Sequence, residues 1–173
     1  VADNELPTIV CPIDLTFDAQ LDQCYASGVD ILNPITTDNC SVDFINNNSI
    51  DTFYVGITTI EWIVEDGSGN TQACIQNINV QDSESPIISC PDDLTFDVNF
   101  EMCTANNVDF GSPVISDNCS IDTFFNNSFQ PFNFGNTIVI WAVVNDSGNS
   151  TTCTHVITVL ECITAVDDFY ETL

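Results

Sequence analysis

Oxygen-bearing side chains recur at turn positions along this chain. Asp38-Asn39 returns as Asp117-Asn118, the turn holding Asp66, Ser68 and Asn70 returns with Asp146, Ser147 and Asn149, and the acids Asp3 and Glu5 return as Asp82 and Glu84. Carboxylate and amide oxygens are hard ligands, and a Ca2+ ion takes about six to eight of them. Two candidate cation groups follow: Asp3, Glu5, Asp38, Asp66 and Asn70 in the first, and Asp82, Glu84, Asp117, Asp146 and Asn149 in the second. A local explanation competes, because Asp and Asn favour turns through bonds from their side chains to nearby backbone.

Cysteine is the other chemistry-bearing type. Cys11, Cys24, Cys40 and Cys74 match Cys90, Cys103, Cys119 and Cys153 in spacing, and Cys162 is a ninth. Single, widely spread cysteines with no Cys-x-x-Cys pair argue for a disulfide framework rather than zinc, and hence for an oxidising place outside the cell or in a periplasm. Catalysis has little to use. The lone histidine, His155, has no counterpart in the first set and is expected to be a packing or surface residue, while acids this numerous give a carboxylate pair no specificity. No enzymatic role is expected.

The chain has 26 acidic residues and no lysine or arginine, a formal net charge of −26. Phosphate neutralisation is closed to it, so nucleic acid is not a partner, and neither is an anionic lipid surface. Ordinary salt bridges are absent apart from any at His155 or a terminus. The carboxylates must be tolerated by solvent, screened by salt or neutralised by bound cations. Trypsin-type cleavage sites and lysine isopeptide bonds are absent as well. No apolar run is long enough to insert in a membrane.

These residues need elements to position them, and the elements come as a tandem repeat. Residues 7–83 align with 86–162 at an offset of 79 without a gap, with 33 identities in 77 pairs. Leu15, Phe17, Ala19 and Leu21 alternate with polar neighbours, as do Ile60, Trp62 and Val64, and Ile157 and Val159 share one face. Turn clusters punctuate these runs. Short strands, six to eight per copy, predict an all-β chain of two immunoglobulin-like β-sandwiches, at 1–81 and 82–160, with 161–173 starting another module or forming a tail. The short joint before Pro86 suggests that the two stand end to end, and the opening residues, which resemble that joint, suggest a piece of something longer.

In such a sandwich the first strand begins at the end where two of the loops emerge, which would gather each oxygen group. The starts of the first and last strands run side by side, favouring Cys11 with Cys74 and Cys90 with Cys153. Elimination then leaves Cys24 with Cys40 and Cys103 with Cys119, one of three connectivities that four cysteines allow. Trp62 and Trp141 read as core. Phe124, Phe125, Phe129, Phe132 and Phe134 read as core before exposed patch. Asn47 and Asn126 head Asn-x-Ser acceptors, and Thr52 and Thr123 stand in Asp-Thr-Phe, which looks like an O-glycosylation signal.

The order Pro-x-Ile-x-Cys-Pro-x-Asp-Leu-Thr-Phe (7–17, 86–96), Pro-x-x-x-Asp-Asn (34–39, 113–118), Gly-x-Thr (56–58, 135–137) and Ser-Gly-Asn-x-x-x-Cys (68–74, 147–153) resembles the hyalin repeat, or HYR module. The four-cysteine form is similar to that of large secreted surface adhesins of Bacteroidetes. The resemblance implies extracellular adhesive modules without catalytic residues. Asp66 and Asp146 are offset by one position within their turns, which makes equal metal binding in both copies doubtful. The expected role is a cell-surface or extracellular stalk, filament or adhesive array, its partners neighbouring modules, copies of itself or surface glycans. Two rivals remain: a carbohydrate-binding module of a secreted enzyme, using Phe132 or Tyr54, and a subunit of a self-assembling polymer.

Overall fold

A computed structural model describes residues 3–98 and 103–160. The chain divides into two compact units, Val1–Glu84 and Ser85–Leu173. The segment 161–173, including Cys162, lies outside the described residues.

The first unit runs β1 (Thr8–Val10), β2 (Leu15–Asp18), β3 (Tyr25–Ser27), β4 (Ile35–Thr37), β5 (Val42–Asn47), β6 (Thr52–Tyr54), β7 (Gly56–Asp66) and β8 (Thr71–Gln81). The second repeats it: β9 (Ile87–Ser89), β10 (Leu94–Phe96), β11 (Thr104–Ala105), β12 (Val114–Ser116), β13 (Ile121–Asn126), β14 (Phe132–Asn133), β15 (Gly135–Asn145) and β16 (Ser150–Val159). Each unit has a four-stranded sheet, ordered β2-β8-β7-β5 or β10-β16-β15-β13, with the first strand parallel to the last. Shorter antiparallel pairs, β1 with β4 and β3 with β6, and their equivalents, cover it. The architecture is an all-β, immunoglobulin-like sandwich.

Alternation sets the inner face. Ile60, Trp62 and Val64 on β7 and Gln76, Ile78 and Val80 on β8 are buried, and Ala26 of β3 and Phe53 of β6 close over the Trp62 side of that face. In the second unit Val139, Trp141, Ile157 and Val159 take those places, under Ala105 and Phe132. The β7–β8 hairpin turns at Gly69 with φ +88° and the β15–β16 hairpin at Gly148 with φ +87°, a left-handed conformation that explains why Ser-Gly-Asn is written twice. The repeated Asn-Asn-Ser is also structural. Asn47 Oδ1 accepts from Ser49 N and Asn48 Oδ1 from Glu61 N at 2.9 Å, and Asn126 and Asn127 do the same for Ser128 N and for Ile140 N at 2.8 Å.

Disulfides Cys11–Cys74 and Cys90–Cys153 join the start of each unit to its last strand, each closing a separation of 63 residues. Loop closure of that size contributes about 4 kcal/mol. The expected Cys24–Cys40 bridge is absent: Cys40 is a free, exposed thiol, and Cys24 is disulfide-bonded but not to it. Cys103 and Cys119 are both disulfide-bonded.

Two other expectations are corrected. The alternation at 15–21 does not continue as strand: β2 ends at Asp18, and Leu21 sits in a turn, 79 % exposed. Of the five clustered phenylalanines only Phe132 is core. Phe124 and Phe125 lie on the edge strand β13, and these two, Phe129 and Phe134 are all exposed. Burial of Phe132 removes it as a sugar-stacking residue, while Tyr54 remains exposed.

Candidate metal centre

At one end of the first unit the sandwich collects the segment before β1, the β4–β5 turn and the β7–β8 turn. The β4–β5 turn forms because Asp38 Oδ2 accepts the backbone N–H of Cys40 at 2.9 Å and of Ser41 at 3.1 Å. The β7–β8 turn forms around buried Asp66, whose Oδ1 accepts from Ser68 N at 2.9 Å and Asn70 N at 2.8 Å. Gly67 N donates to Ser41 O at 3.2 Å and ties the two turns together. The amide of Asn70 then reaches Asp3 O at 3.3 Å and brings in the leading segment. In that segment Asp3 Oδ1 accepts Glu5 N at 3.0 Å.

The five predicted residues of the first group are thus gathered, but in different capacities. Asn39 Nδ2 donates to Glu5 Oε2 at 2.9 Å and to Asp3 Oδ1 at 3.5 Å, and Asn70 Nδ2 donates to Asp66 Oδ2 at 2.6 Å. Glu5 and Asp66 are therefore occupied, and Asn70 serves as a donor. Asp3 Oδ2 and Asp38 Oδ1 are buried oxygens with no hydrogen-bond partner. Leaving such acceptors unmet is costly, and more so when they are charged. Ligand atoms of Asp3, Asp38 and Cys40 all lie within 4.8 Å of one another. The donor set fits a hard divalent cation: Asp3 and Asp38 each carry a buried oxygen without a hydrogen-bond partner, the two acids bring ligand atoms within 4.8 Å of each other, and the chain has no lysine or arginine to answer them.

The electrostatics follow from these contacts. The Glu5 backbone N–H, then the Cys40 thiol, holds the Asp3 carboxyl below the usual range. The Asn70 amide does the same for Asp66. The hydrogen bond to Asp3, then Asp3's charge, pushes the Cys40 thiol up. Cys40 is the member that sequence reasoning missed, having been assigned to a disulfide; its signal was adjacency, two residues from Asp38.

The second group differs. The position of Asp66 is held by Asn145, which is buried, while Asp146 is exposed and uses its backbone N–H on Ser120 O. Asn145 Oδ1 accepts from Ser147 N at 3.1 Å and Asn149 N at 2.9 Å, and its amide lies 3.3 Å from Asp117 Oδ2, whose other bond is to Cys119 N at 3.1 Å. The neutral amide performs the turn-building work of Asp66 without its charge, so Asp146 does not reproduce Asp66. Asp82 is buried and caps Glu84 N at 3.0 Å, repeating the Asp3–Glu5 turn, and Glu84 Oε1 accepts Asp22 N at 2.9 Å.

The HYR domain family model matches residues 2–80. Over this segment, 79 of the 173 residues, the chain is similar to the HYR domain. The second unit repeats the HYR domain's cysteines, turns and strand order. Hyalin of Strongylocentrotus purpuratus is 32 % identical, over 80 % of this chain and 12 % of its own length. Hyalin of Lytechinus variegatus is 30 % identical over 92 % and 32 %. The chain thus spans between about a tenth and a third of these relatives. Among solved structures, PcdhgB3 EC1-4 aligns at TM-score 0.43 and 13 % identity over 91 % of this chain and 50 % of that one, and Drosophila N-cadherin EC1-4 at TM-score 0.43 and 10 % identity over the same shares. The disulfides and the HYR domain make this an extracellular or cell-surface protein.

Proposed function

We propose that this chain is a non-catalytic segment of an extracellular adhesive array, and that its first HYR domain binds one Ca2+ ion between Asp3 and Asp38. The pair of buried, unpartnered carboxylate oxygens carries the reading. A hard cation would take both, removing the desolvation penalty and the mutual repulsion of Asp3, Asp38 and Asp66. Asn39 and Asn70 hold the surrounding acids in place from outside. With no lysine or arginine in the chain, cations and amides are the neutralising partners available to it.

Adhesion in this reading is mechanical: repeated sandwiches supply length, and a disulfide across each sandwich resists unfolding. Partners are neighbouring modules and other copies. Titration calorimetry of Ca2+ into chelator-treated chain tests the site. One strong binding event lost in Asp38→Asn is expected; unchanged heat in that variant would refute the assignment.

A further inference from the structure

The two units treat one groove differently. In each, the chain leaves β3 or β11 through a left-handed residue, Gly28 at φ +66° or Asn107 at φ +52°, and a valine follows, Val29 or Val108. In the second unit Gln130, just ahead of β14, covers that valine. Its side-chain carboxamide accepts from Val108 N at 3.0 Å and donates to Val108 O at 2.9 Å, exchanging both bonds as a paired strand residue would.

In the first unit Asp51 stands at the position of Gln130. The backbone keeps its course, since Gly28 N reaches Asp51 O at 3.4 Å, but a carboxylate has no hydrogen to give to Val29 O. Among the described residues none bonds the backbone N–H or C=O of Val29. A groove of about 170 Å3 remains beside them, lined by Val29, Ile31, Ile50 and buried Phe53, with Ser49 and Asp51 as polar members. A space of roughly 150 Å3 holds a benzene-sized group, and a carboxamide on two methylenes has fewer heavy atoms.

We propose that this groove binds the side chain of a glutamine carried by a partner polypeptide, supplying from outside the group that Gln130 supplies within the second unit. The ligand's C=O accepts the Val29 N–H, one amide hydrogen goes to Val29 O and the other to the Asp51 carboxylate, and the methylenes lie on the apolar lining. A cationic side chain answers Asp51 and Val29 O but leaves the Val29 N–H unmet, and a carboxylate is repelled by Asp51. A primary amide offers donor and acceptor along one edge. The inference rests on the adhesive reading only in calling the ligand's carrier a partner, and it is independent of the Ca2+ site.

The test is a titration of the 15N-labelled 173-residue chain, followed by the backbone amide resonances. The probe is acetyl-glutamine N-methylamide, whose side chain is its one primary amide; the methionine, glutamate and arginine analogues are run beside it. The glutamine probe is expected to shift the Val29 resonance saturably and to bind at least about tenfold more tightly than the analogues, the worth of about one hydrogen bond. Asp51→Gln, which installs the second unit's own plug, should abolish binding at Val29, and Gln130→Asp should open a second site at Val108. An unmoved Val29 resonance, or an arginine or methionine probe that binds as tightly, overturns the proposal. So does undiminished binding in Asp51→Gln with the Trp62 indole resonance unchanged. These failures leave the Ca2+ site and the array reading standing, because neither uses Val29 or Asp51.

Discussion

Trp141 donates its indole N–H to Nε2 of His155, 3.4 Å away on the neighbouring strand. In the first unit Trp62 donates in the same way to Gln76 Oε1 at 3.1 Å. His155 Nε2 accepts, so Nδ1 carries the hydrogen that faces Asp92 O at 3.3 Å; Gln76 Nε2 bonds Ile13 O at 2.8 Å and Ile31 O at 3.0 Å. One buried slot is served by two side chains with an acceptor at one end and a donor at the other.

His155→Gln is therefore expected to cost less than about 1 kcal/mol, because Gln supplies both roles, whereas His155→Leu leaves the Trp141 N–H buried and unmet at about 1–3 kcal/mol. Urea unfolding of the second unit's signal in the two variants checks this.

Replacing both Cys11 and Cys74 by serine removes a bridge of 63 residues' separation. The first unit is expected to lose about 4 kcal/mol, and the second, held by Cys90–Cys153, to unfold as before. Denaturant curves followed by a probe in each unit measure the difference.

Acid destabilises the first unit through Asp3 and Asp66. Both carboxyls are depressed from 3.8, so their stabilisation is complete above that value and is lost as pH falls through their lower folded values. Asp66→Asn keeps the turn, as Asn145 shows, and flattens this loss. Thermal midpoints recorded in chelator between neutral pH and pH 2 are expected to fall more steeply for the native chain than for the variant.

The long hairpins were readable because Ile60, Trp62 and Val64 alternate strictly and end at a turn that needs glycine. The Cys11–Cys74 pairing was readable because a sandwich sets its first strand beside its last. Leu21 misled because alternation persists past the point where β2 stops finding a partner. The phenylalanines of β13 misled because apolar composition does not tell an edge strand's open face from its covered one. In the first unit the structure brings Asp3, Glu5, Asp38 and Asp66 to one end, but which oxygens stay open depends on where Asn39 and Asn70 point, and spacing carries no such information. The fate of Cys40 was hidden because matched spacing does not fix pairing: Cys119, at the same position of the second copy, is disulfide-bonded, and Cys40 is free.

Differential scanning calorimetry of the 173-residue chain in excess chelator and again in Ca2+ reads whether the first unit holds the ion. At free Ca2+ about a hundredfold above its dissociation constant, binding adds about 2.7 kcal/mol, raising the first unit's midpoint by on the order of 10 °C. The rise should disappear in Asp38→Asn. A first-unit midpoint that stays the same in chelator and in Ca2+ would mean that Asp3 and Asp38 hold no structural Ca2+.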